Sequence, residues 1–150
     1  MSADSPDRGH QRPEGVTDAT VEALGSLSKA LETTERARGH LYSFHQLTGR
    51  ADLELDRAVN LLREAGHDSW ADRVDKEIVG RNVIPGRWSF QIIEEYDGTY
   101  YEPFRQVERE ALDALAEGKE HLYEAEMKEA RRTTGHPDHS ARPDDTRTDQ

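Results

Sequence analysis

Between Thr17 and Arg131 apolar residues recur at intervals of three and four, the spacing of helices that bury one face. Leu24, Leu27, Leu31, Leu41 and Phe44 mark a first long helix, capped by Thr17 or Asp18 and running to about Leu47. Gly49 interrupts. Leu55, Ala58, Val59 and Leu62 mark a second helix, which stops at Gly66, a residue suited to the left-handed position after a helix. Asp68 or Ser69 caps a third, with Trp70, Ala71, Val74 and Ile78 inward and Gly80 at its end.

Residues 81–86 read as a turn. In Arg87–Tyr96 the alternation of Trp88, Phe90 and Ile92 suits a strand, whereas Trp88, Ile92 and Tyr96 suit a helix. A lone strand has no partner to pair with, so helix is the reading taken. Thr99 and Glu102 have capping-box spacing, with Pro103 tolerated in the first turn. A last long helix then continues to about Arg131, with Phe104, Val107, Ala111, Leu115, Gly118, Leu122 and Ala125 on one face. The expected fold is all-α: a small helical bundle of two long helices and about three shorter ones.

Residues 1–16 and 132–150 are rich in Pro, Gly, Asp, Arg and Thr and nearly devoid of large apolar side chains. Such segments bury too little surface to offset their ordering entropy, so both are expected to be disordered tails around a folding unit at 17–131.

Charge narrows the function. The chain carries 31 Asp and Glu against 20 Lys and Arg, a net charge of −11, and shows no basic patch. Nucleic-acid binding is therefore not expected. With no membrane-length apolar run and no hydrophobic leader, the expectation is a soluble cytoplasmic protein. The absence of cysteine removes disulfides, thiolate nucleophiles and cysteine metal ligands. No Gly-x-Ser-x-Gly turn, phosphate loop or dinucleotide fingerprint occurs, so a non-enzymatic role is favoured.

Six of the ten aromatic residues fall between Trp88 and Phe104, interleaved with Glu94, Glu95, Asp97 and Glu102. Rings offer large contact area and the carboxylates select a cationic partner. The first-choice docking surface for a protein or basic ligand is thus Trp88, Glu94, Glu95, Tyr96, Asp97, Tyr100, Tyr101 and Glu102. The competing reading places these rings where a connector anchors to the core.

Two further constellations stand out. Glu35 and His45 on the first helix, with His121 and Glu124 on the last, have the carboxylate and imidazole chemistry of a ferritin-like iron or manganese site. The Glu-x-x-His pairs of that fold are missing, apart from Glu64 and His67 across Gly66. Arg38 continues the buried stripe of the first helix, and beside Tyr42 it forms a candidate polar pocket for a small anion.

Arginine outnumbers lysine 16 to 4. Through FHQLTGRADLEL (44–55), VGRNVIPGRWSFQIIEEYDGTYY (79–101) and HLYEAEMKEARR (121–132), the chain resembles a group of short uncharacterised actinobacterial proteins. The resemblance implies a bacterial cytoplasmic protein. It supplies no activity, cofactor or site residue, and it leaves the partner and the oligomeric state open.

Overall fold

The computed structural model describes residues 4–143. The expected disorder of both tails falls partly on residues 1–3 and 144–150, which lie outside the described residues. The fold is all-α, as expected: α1 (Asp18–Glu64), α2 (Asp68–Glu77), α3 (Ser89–Tyr96), α4 (Glu102–Ala116) and α5 (Leu122–Arg131). A π-helical segment, Asp97–Tyr101, joins α3 to α4 without a break, and a short 3₁₀ turn occupies Arg8–His10. No strand occurs among the described residues; Ile84 and Arg87 form one isolated bridge across the 81–86 turn.

The chain divides into a terminal unit, residues 1–32 with 104–150, and a central unit, residues 33–103, and the division falls within α1. In the terminal unit Val21, Leu24, Leu112, Ala116 and Leu122 form the core, with Val16 and Ala111 packed against it. Thr17 caps α1 by accepting the Thr20 N–H through its hydroxyl at 3.2 Å. Gly25 lets α5 come close, since a Cβ there would stand 3.2 Å from that of Tyr123. Buried Arg132 bonds Asp4 at 2.7 Å and Glu129 at 2.5 Å, which satisfies a cation that would be costly unpaired. That guanidinium holds the Glu129 carboxyl below its usual range.

In the central unit α1 carries α2, the 78–88 connector and α3 along its length. Gly66, at φ 84°, reverses the chain, and Arg63 reaches Asp72 at 2.9 Å across the turn. Ala71 of α2 is fully buried, the Gly80 N–H donates to Asp52 at 2.8 Å, and His45 is hydrogen-bonded to Ser89 at 2.7 Å.

Several expectations are corrected. Gly49 does not interrupt α1, because Leu41, His45, Thr48, Asp52, Leu55 and Val59 keep an inward stripe in register through it, and packing outweighs a propensity loss of ~1 kcal/mol. No side chain caps α2, whose first flanking residue is His67. Trp70 and Ile78 face solvent at 57% and 50% exposure. The last helix breaks at residues 117–121, where Glu117, Gly118 and His121 adopt positive φ. The inward face of α4 is Glu108, Leu112 and Ala116, one position round from the expected stripe, leaving Val107 and Leu115 exposed.

Candidate functional site

The aromatic and acidic segment from Trp88 to Glu102 lies wholly in the central unit, and the structure splits it into an outward and an inward part. Trp88 immediately precedes α3, its backbone N–H donating to the Gln91 side chain at 3.0 Å. Its ring meets Phe90 edge to face at 5.3 Å and is 56% exposed. Beside it opens a hollow of about 600 Å³, walled by Ala51 and Leu55 of α1 and by Ile78, Val83 and Trp88. Glu94, Glu95 and Glu102 are exposed, with Glu95 paired to Arg87 at 2.7 Å. Tyr100 is 51% exposed, its ring 5.5 Å from that of half-buried Tyr96.

The inward part is built by the π segment. A π turn adds one residue to the helical period and so rotates the following side chains, a distortion common where a helix must present particular groups. Here it turns Asp97 and Tyr101 toward α1. Asp97 receives Arg38 through two bonds, at 2.7 and 3.0 Å. The guanidinium also lies over two rings, 4.7 Å from the centroid of Tyr101 and 5.1 Å from that of Tyr42. The Tyr101 hydroxyl donates to Glu35. This pairing holds the Asp97 carboxyl below its usual range and Arg38 above its own.

Two corrections follow. Tyr101, expected on the docking surface, is buried at 6% exposure, and Asp97 is committed to Arg38. Arg38 and Tyr42 do come together, but the anion in their pocket is the chain's own Asp97. The Thr99–Glu102 capping box does not form, since no helix begins there; the Thr99 hydroxyl donates to the Glu95 carbonyl at 2.5 Å.

The four expected metal ligands divide between the units. Glu35 and His45, in the central unit, are bonded to Tyr101 and Ser89. His121 and Glu124, in the terminal unit, are joined instead by Glu32, and one ligand atom from each of the three lies within 4.8 Å of the others. His121 Nδ1 and Glu124 Oε2 are 4.0 Å apart. Ligands ~2.1 Å from one ion stand at most ~4.2 Å apart, so modest side-chain closure would suffice. All three residues are exposed or half-exposed.

Asp97 as the partner of Arg38, Ser89 as that of His45, and Glu32 were missed from the sequence. Gly98 was the one local hint that the helix is distorted beside Asp97. Among the described residues no helix is long and apolar enough to cross a membrane. The chain matches no protein-family model, no curated protein and no solved structure.

Proposed function

We propose that this protein is a non-enzymatic interaction module of the bacterial cytoplasm that docks a basic protein partner on the outward face of its central unit. The observation that carries this reading is Trp88, more than half exposed at the rim of an apolar hollow. An indole held outward beside a concavity resembles the aromatic anchors that dominate protein interfaces. Phe90 stiffens it, and exposed Glu94 favours a cationic partner over nucleic acid, while Glu95 is already paired with Arg87. Tyr101 and Asp97 leave the docking set and become its support, fixing the end of α3 through Arg38.

The test places a photo-crosslinking aromatic amino acid at Trp88 and, as control, at the similarly exposed Leu115 of the terminal unit. The reading expects a discrete adduct with a basic protein from position 88 alone. No adduct at 88, or equal adducts from both positions, would refute it.

A second reading, iron or manganese bound by Glu32, His121 and Glu124, is favoured by the convergence of those three side chains. It requires stoichiometric metal in protein purified from metal-replete cells, lost in His121→Ala. Metal-free protein under those conditions removes it.

A further inference from the structure

His45 and Ser89 bring a nucleophile and a base together in the central unit. Both are half-buried, and Ser89 Oγ lies 2.7 Å from His45 Nδ1. With the ring hydrogen on Nε2, Nδ1 accepts the Ser89 hydroxyl hydrogen, the contact through which an imidazole activates a serine. Ser89 also lines the hollow of about 600 Å³ and His45 does not, so a molecule in the hollow meets the hydroxyl rather than the ring.

Ser89 is the first residue of α3, and no side chain caps that helix. The N–H groups of its first turn have no carbonyl one turn earlier to bond, and the aligned peptide dipoles make this end partially positive. An oxyanion formed beside Ser89 Oγ therefore meets donors already in place.

We propose that Ser89 is an acyl-acceptor site, which takes a short unbranched acyl group from an activated ester or thioester. The acyl chain lies in the hollow, whose walls at Ala51, Leu55, Ile78 and Val83 are apolar and whose volume is that of a small-molecule site. The inference does not rest on a partner docking at Trp88.

In the step, Ser89 Oγ bonds to the acyl carbon while its proton passes to His45 Nδ1. The bond from that carbon to the leaving oxygen or sulfur breaks, and the leaving group takes up the proton. The products are O-acyl Ser89 and a free alcohol or thiol. Among the described residues no carboxylate is bonded to His45, and that third group is worth ~10⁴-fold in a catalytic triad. Only an activated donor reacts at a useful rate with so weak a pair. The serine ester that results has an alkoxide leaving group and is not activated, so the acyl group stays. The outcome is a stoichiometric modification rather than turnover.

p-Nitrophenyl butyrate on the full chain tests this. One butyryl group per chain should map to Ser89 by peptide mass spectrometry, and Ser89→Ala should abolish it. Acylation should run roughly tenfold faster than with p-nitrophenyl acetate, two methylenes shorter, because the hollow takes up the longer chain. His45→Gln keeps a hydrogen-bonding group beside Ser89 and should slow acylation by about a hundredfold or more while circular dichroism stays unchanged.

Gly49 lines the hollow too, with open space where a Cβ would stand. Gly49→Leu therefore narrows the hollow without altering the Ser89–His45 pair, and should remove the preference for butyrate over acetate. Five results would each overturn the inference: butyryl groups spread over lysines and histidines, Ser89 acylated no faster than exposed Ser43, and His45→Gln reacting at the wild-type rate are three of them. The others are p-nitrophenolate release with no acyl group retained, and a preference for butyrate that survives in Gly49→Leu.

Discussion

Tyr100 and Tyr101 are adjacent in sequence yet differ in exposure, 51% against 6%, because neighbouring helical positions point about 100° apart and the second faces α1. Replacing each by alanine compares the two burials. A tyrosine presents ~200 Å², so Tyr101 buries about 190 Å² and Tyr100 about 100 Å². At ~25 cal/mol per Å² these areas correspond to ~4.7 and ~2.5 kcal/mol. A denatured chain that already buries part of this surface lowers them to ~3–4 and ~1.5–2 kcal/mol. Tyr101→Ala should therefore cost ~1.5–2 kcal/mol more than Tyr100→Ala, and Tyr101→Phe, which keeps the ring under Arg38, should cost ~0.5–3 kcal/mol through the lost bond to Glu35. Urea unfolding followed by circular dichroism reads all three. Equal losses for the two alanine variants would show that Tyr101 is no more a core ring than Tyr100, and Tyr101→Phe as costly as Tyr101→Ala would show that burial of its ring contributes nothing.

The terminal unit offers a parallel contrast: Leu112→Ala should cost ~2–5 kcal/mol, whereas Leu115→Ala, half exposed, should cost less than ~1.5 kcal/mol, both read by denaturant midpoint. Asp97 and Glu129 are held below their ordinary values of 3.8 and 4.5 by Arg38 and Arg132. Their folded pKa is depressed, so their stabilisation is full above about pH 5 and disappears as pH falls through the folded values; Arg38→Gln should lower the melting temperature at pH 7 and reduce its decline between pH 5 and pH 2. Glu117→Gly should stabilise by up to ~1 kcal/mol by relieving a left-handed non-glycine residue, while Gly118→Ala at φ 72° should destabilise by a similar amount, both measured by thermal melting.

What the sequence made legible was local and periodic. Thr17 starts α1 and Gly66 ends it because a hydroxyl cap and a left-handed glycine act within a few residues. The helical reading of Ser89–Tyr96 rested on the absence of a pairing strand, and it held. Gly49 misled because its propensity cost is small beside the continuous stripe from Leu41 to Leu62. The break after Ala116 was hidden because two of its three left-handed positions, Glu117 and His121, are not glycine.

In the candidate site, Arg38 was legible as partly inward with Tyr42 beside it one turn on, but Asp97 was not. Asp97 and Tyr101, four residues apart, share a helix face, but nothing local says that this face meets Arg38 on α1 rather than solvent. The Thr99–Glu102 spacing imitated a helix start at the point where the helix is distorted. Glu32 was not considered from the sequence; His121 was read as lying within a continuous helix, whereas it sits at the turn into α5.

The central claim is that the Trp88 face stands open for a partner. Trp70→Phe leaves Trp88 as the sole tryptophan, so its emission maximum and quenching by acrylamide report that one ring. The account predicts red-shifted, readily quenched emission in dilute protein, and a blue shift with protection when the partner identified by crosslinking at position 88 is added. Blue-shifted, quench-resistant emission from the protein alone would contradict it.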